Sequence, residues 1–146
     1  MAGLSDAVER HQGFMASRED YEGARAAIFG VPMDFTTSFR PGTRLGPQRI
    51  REASYGLEEY SFYLHKDLAD KAYYDLGDVA LPFGNISTAL ENIEKVVRRV
   101  LDDGKIPIAM GGEHLISLPL IKAAAEKYPG LAVVHFDAHA DLREEY

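Results

Sequence analysis

Short apolar runs, each followed by a stretch with helical spacing, constrain this chain more than any other feature. AAIFGV (residues 26–31), ended by Pro32, KAYYDLGD (71–78), IPIAM (106–110) and LAVVHF (131–136) read as strands. Between them GPQRIREAS predicts a helix starting near Pro47, since proline tolerates the first helical turn. STALENIEKVVRRVLDDG predicts the best helix. Thr88 and Glu91 have capping-box spacing, Ile93, Val96, Val97, Val100 and Leu101 form one stripe, and Gly104 supplies the stop. GGEHLISLPLIKAAAEKYPG reads as a turn and a helix that ends by Gly130. Strands alternating with helices at this spacing imply right-handed crossovers and an α/β fold, a parallel sheet covered by helices on both faces.

The 146 residues fit one domain, with residues 1–24 an aperiodic amino-terminal extension and 25–146 the alternating strands and helices. Apolar residues make up 46% and charged residues 27%, the balance of a globular protein. No stretch has the length of a bilayer span, and the first residues lack a signal-peptide core, so the expected location is the cytoplasm. Cysteine is absent, which excludes thiolate metal sites and thiol nucleophiles. A net charge of −7 argues against a nucleic-acid partner and favours a cationic small molecule or a divalent metal.

In an open parallel sheet, ligands bind beyond the carboxyl ends of the strands, and two such ends here are rich in chemistry. IPIAM runs into Gly111-Gly112-Glu113-His114, where glycines allow a tight turn that presents His114. LAVVHF runs into Asp137-Ala138-His139-Ala140-Asp141, whose spacing of two puts Asp137, His139 and Asp141 on one side of an extended segment. Two carboxylates and two imidazoles with no sulfur suit a divalent cation, manganese first, with zinc, iron and cobalt competing for the same donors. An aspartate can bridge, which allows a metal pair about 3.5–4 Å apart. A DxHxD stretch alone is equally a helix cap or solvated turn; the pairing with GGEH one helix earlier favours the metal.

Taken together, GGEH and DAHADLREEY resemble the ureohydrolases of the arginase family, and GVPMDFTTSFRPGTRLGPQRIR, GLEEYS, LGDVALPFGN and GGEHLISLP resemble its agmatinase branch. The resemblance implies the three-layer α/β/α arginase/deacetylase-like fold. It implies that His114 binds one manganese ion and His139 the other, that Asp137 bridges both, and that Asp141 completes the coordination of the first ion. A hydroxide between the metals would attack the guanidinium carbon of agmatine and release urea and putrescine. Arginases carry an asparagine two positions after the last aspartate; Arg143 stands there, which favours a decarboxylated substrate over arginine and leaves guanidinobutyrate open. Family members form trimers or hexamers.

The same resemblance implies a longer domain, of which this chain is expected to be the amino-terminal portion. The family's SxDxDxxDP segment, which adds two metal-binding aspartates, has no counterpart in these residues. Two strands of the family sheet that lie between the GGEH and DAHAD strands are likewise missing. The expectation is therefore an agmatinase-like hydrolase. The alternatives are a truncated, non-catalytic chain that binds metal or full-length subunits, and an amidinohydrolase for another guanidino substrate, such as an arginase or guanidinobutyrase.

The remaining polar and aromatic residues have blander readings. His135 reads as a core histidine, His65 as surface, His11 as part of the extension, and Glu113 as either a partner orienting a ligand or a helix-start carboxylate. The loop from Asp34 to Pro47, with Phe35, Phe39, Arg40 and Arg44, is either a substrate gate or a segment held by ion pairs. Tyr55, Tyr60, Tyr63, Tyr73 and Tyr74 read as core and subunit contacts.

Overall fold

The run Ala26–Val31 forms β2, the inner strand around which the sheet is built. In the computed structural model, which describes Leu4 and residues 6–143, β2 pairs in parallel on one side with β5 (Tyr73–Val79) and on the other with β6 (Ile106–Gly111). A two-residue strand, β1 (Val8–Glu9), adds antiparallel to the far side of β5, so the sheet order is β1-β5-β2-β6. A small hairpin, β3 (Tyr60–Ser61) with β4 (Lys66–Asp67), lies apart from this sheet. His65, at its turn, is exposed.

Among the described residues, three α-helices complete the layers: α1 (Gly46–Ser54), α2 (Ile86–Asp102) and α3 (Ser117–Lys127). The stripe of α2 buries Ile93, Val96, Val97, Val100 and Leu101 against Ala27, Phe29, Val31, Tyr74 and Leu76 of the sheet. The helix begins at Ile86, capped by Asn85, whose side chain accepts from the Thr88 amide at 3.0 Å. The cap therefore lies three residues before Thr88, and the Thr88–Glu91 spacing falls inside the helix. Arg98 joins Glu94 to Glu126 while Lys122 reaches Glu94 at 3.0 Å, so α3 is stapled along α2 by exposed charges of small individual worth.

The opposite face carries α1 and the amino-terminal segment. Here the buried side chain of Arg51 reaches Asp75 with Nε and Nη2, both at 2.8 Å, and Asp78 with Nη1 at 2.6 Å. Burial pulls the guanidinium toward lower pKa, but hydrogen bonds and charge from the two aspartates outweigh it and raise it. Asp75 also accepts from the Phe14 amide at 2.7 Å, and His11 stands 3.5 Å from Asp78. One ion cluster thus ties α1, β5 and the amino-terminal segment together. Space for it exists because position 30 is glycine: a Cβ there would stand 1.9 Å from Asp78 Oδ1 and 2.6 Å from Pro47 Cβ.

The segment before β2 wraps rather than frays over residues 8–24. Lys105, buried, donates to the carbonyls of Ala24 at 2.7 Å and Glu22 at 3.1 Å and lies 4.6 Å from the centre of the Tyr21 ring. Tyr21 in turn donates to Asp103 at 2.8 Å. Tyr73 and Tyr74 fill the core, whereas Tyr55, Tyr60 and Tyr63 are exposed.

Two further expectations differ from the structure. Residues 131–136 join no sheet: their apolar side chains stand exposed, with Val134 at 78% and Phe136 at 94%. A strand needs a neighbour, and among the described residues β6 stands at the edge of the sheet with no strand on its outer side. That edge carries Ile106 at 62% and Ile108 at 44% exposure, unusual for an apolar run in a parallel sheet. At the end of β6, Gly112 does not use a left-handed conformation as a tight turn would suggest. It is required for space, since a Cβ would stand 2.5 Å from the carbonyl oxygens of both Val31 and Met33.

Two measurements check these packing arguments. Arg51→Met strands two buried carboxylates and is expected to cost about 3–5 kcal/mol in urea unfolding, with much of it regained when Asp75→Asn and Asp78→Asn are added. Gly112→Ala is expected to cost about 1–3 kcal/mol, against a few tenths for Gly56→Ala, whose Cβ would meet only the Ala53 carbonyl at 3.5 Å.

Candidate metal centre

The site stands where β6 ends. After Gly111 the chain passes under the end of β2, with the Glu113 amide donating to Met33 O at 2.8 Å, then turns into a short 3₁₀ segment, His114–Ile116. That turn presents the half-exposed His114 ring beyond the sheet's carboxyl edge.

Three of the four expected ligands meet there. His114 Nδ1 lies 2.9 Å from Asp141 Oδ2 and 3.8 Å from Asp137 Oδ2. The fourth member of the group is His135, not His139. His135 Nε2 is 3.6 Å from Asp137 Oδ2, its ring centre is 5.3 Å from that of His114, and one donor atom from each of His114, His135, Asp137 and Asp141 falls within 4.8 Å of the others. His135 is therefore exposed at the site rather than buried in a core.

The reason lies in the backbone of residues 137–141. Period-two spacing aligns side chains only on an extended chain, and this stretch bends at residues 137–139. Asp137 Oδ1 accepts from the His139 amide at 2.9 Å, an Asx-type turn that sends the His139 ring outward, 83% exposed. Asp141 adopts φ 51°, a left-handed conformation that aspartate tolerates, and so returns its carboxylate to His114. His139 is not lost to the site: its Nδ1 stands 3.5 Å from Asp137 Oδ1. Asp137 thus turns one oxygen toward His114 and His135 and the other toward His139. The His139 amide hydrogen bond holds the Asp137 carboxyl below the ordinary aspartate range against the opposing effect of burial, and the neighbouring imidazoles add to the lowering.

Glu113 stands at the start of the 3₁₀ segment, but its side chain makes no cap hydrogen bond there. It is buried, and it holds the loop that follows β2: Oε2 accepts from the Thr36 amide at 2.8 Å and Oε1 from the Thr36 hydroxyl at 2.7 Å. Asp34 gathers the same loop from within, accepting from the Gly42 amide at 2.7 Å and from Arg44 at 3.2 Å. Burial works against its ionisation, but the Gly42 amide and the Arg44 charge together keep its carboxyl below the usual range. Arg44 is accordingly an ion-pair residue, and Arg40 lies over the Phe39 ring at 5.1 Å. The loop borders a cavity of about 460 Å³ that also reaches Glu113 and His114. Beside it, Ser38 and residues 139–143 line a larger open cavity of about 890 Å³.

Two imidazoles and two carboxylates converging in reach of solvent, with no sulfur and no basic side chain among them, fit a divalent cation of the manganese type. Residues 24–146 match the arginase family. The agmatinase of Bacillus subtilis (strain 168) is 58% identical over 133 residues, 91% of this chain and 46% of that one. Proclavaminate amidino hydrolase from Streptomyces clavuligerus superposes with a TM-score of 0.83 at 29% identity, over 94% of this chain and 47% of that chain. Formiminoglutamase of Trypanosoma cruzi, solved with Mn²⁺, gives a TM-score of 0.69 at 28% identity, over 80% and 40% of the two chains. The chain spans about half the length of the curated relatives it matches. With fold, motif positions and match extending over most of its residues, the chain belongs to the arginase family.

Proposed function

We propose that this chain serves the hydrolysis of agmatine to putrescine and urea, and that His114, Asp137, His139 and Asp141 are its metal ligands, with His135 beside them. The observation that supports this reading is the two-sided placement of Asp137. One oxygen faces His114 and His135 and the other faces His139, as a carboxylate shared between two cations must. When bound, a manganese pair would supply an acidified water and an electrophile for the developing charge.

The chain's own residues prepare the rest. Asp137 is kept ionised by the His139 amide, so its negative charge is present before any cation arrives. Asp141, at hydrogen-bond distance from His114 Nδ1, holds that ring toward the site. Carboxylates exposed among imidazoles favour a planar guanidinium cation over an anionic substrate. Arg143 lines the larger cavity beside His139 and Asp141, where the family resemblance places a contact to the head of arginine; its presence favours agmatine.

A second reading has its own support. The open β6 edge and the exposed run 131–136, together with coverage of under half of each relative, fit a chain that binds metal or joins longer subunits without turnover of its own. Assembly into a homo-oligomer belongs to the first reading and not to the second.

Manganese titration followed by electron paramagnetic resonance, with urea release as a second readout, separates these readings. His114→Ala and Asp141→Asn are each expected to weaken Mn²⁺ binding by about tenfold or more. Urea is expected from agmatine in preference to arginine and guanidinobutyrate; Mn²⁺ binding with no urea from any of the three would leave the second reading standing. Chelation is expected to abolish turnover and re-addition of Mn²⁺ to restore it.

A further inference from the structure

We propose that Glu113 is a positioning residue for substrate, acting through Thr36 to hold the tip of the loop after β2 beside the metal cluster. This rests on the proposed hydrolytic function, and it assigns a task to a carboxylate that the metal reading does not use.

The geometry is that of a clasp with two catches. Glu113 leaves the β6 turn and takes both the amide and the hydroxyl of Thr36, at 2.8 and 2.7 Å. Asp34 takes Gly42 and Arg44 at the returning end of the same loop. The residues between the catches, 37–41, are left to project, and Phe39 is 84% exposed with Arg40 stacked on it. A projecting, apolar and charged tip held at both feet has little to pack against in this chain. It does border a cavity of about 460 Å³ whose other wall is Gly112, Glu113 and His114.

The position of Glu113 next to His114 gives the arrangement its meaning. The backbone turn that delivers His114 to the metal cluster delivers Glu113 to the loop, so the distance between the reacting centre and the loop tip is set by one dipeptide. A guanidinium placed among His114, Asp137 and Asp141 would extend its chain past Ser38 and Phe39, which are held where Glu113 holds Thr36. The effect expected is on binding of the part of the substrate remote from the scissile bond, and not on the metal or on the bond-breaking step.

Side-chain chemistry supplies the test. Thr36→Val keeps the amide bond and removes the hydroxyl, leaving a buried carboxylate oxygen without its donor, while Glu113→Ala removes both acceptors. Glu113→Gln can keep both bonds, with its oxygen accepting from the amide and its NH₂ donating to the threonine oxygen. Hydrogen exchange of the 34–45 peptide, Mn²⁺ affinity, and KM with kcat for agmatine are to be measured for all three. For Glu113→Ala and Thr36→Val the expected result is exchange about tenfold faster, KM raised about tenfold, kcat within about threefold and Mn²⁺ affinity within about twofold; Glu113→Gln is expected to stay near the parent. Unchanged exchange in both disruptive variants, or Mn²⁺ affinity falling in step with KM, would overturn the proposal, the latter by showing that Glu113 acts on His114. If the parent released no urea from agmatine, the proposed function would fail, and the exchange and Mn²⁺ arms would still decide whether Glu113 holds the loop independently of the metal site.

Discussion

The close approach of two backbones, at the carboxyl ends of β2 and β6, is the constraint on which the site depends. Gly112 lies so near the carbonyls of Val31 and Met33 that no side chain fits, and the next amide, Glu113 N, bonds Met33 O. From this crossing the two chains diverge with their functional cargo fixed relative to each other. One carries His114 into the cluster, and the other begins the loop that Glu113 and Asp34 then fasten. A parallel sheet aligns its strand ends on one side, and here that alignment is tight enough to decide which residue types the turn accepts.

Two groups of carboxylates meet opposite demands in this fold. The Arg51–Asp75–Asp78 cluster is buried, with every charge paired, and it binds α1 and the amino-terminal segment to the sheet. The carboxylates at 137 and 141 are exposed and face the imidazoles of the cluster, an arrangement suited to a cation. Buried charges that are fully compensated act as fasteners; exposed charges of one sign act as a receptor. The protein separates the two kinds of work by placing one under α1 and the other beyond the strand ends.

Much of this was legible in the sequence because it rests on local pattern. AAIFGV and IPIAM mark β2 and β6, the stripe of α2 falls where its spacing put it, and GGEH stands at a strand end. What the pattern missed depends on contacts distant along the chain or on single torsions. Local pattern gives no role to Arg51 within GPQRIREAS, although an arginine on the face that α1 turns to the sheet, with Asp75 and Asp78 inside an otherwise apolar strand, is a usable signal. The period-two argument for Asp137, His139 and Asp141 assumed an extended chain, and an Asx-type turn at 137 with a left-handed Asp141 replaced it. The same bend, with no strand pairing at 131–136, brought His135 to the cluster. Thr36 and Glu113 are 77 residues apart, and no local pattern joins them.

The central claim is that the side chains at 114, 137 and 141, with one or both of His135 and His139, converge on divalent cations. Crystals of the protein grown with Mn²⁺, with anomalous diffraction recorded at the manganese absorption edge, test it most directly. The account predicts anomalous peaks with Asp137 shared between them, His114 and Asp141 on one side and His139 on the other. A map with no peak in contact with His114, Asp137 and Asp141, or with manganese bound only elsewhere on the molecule, would contradict it.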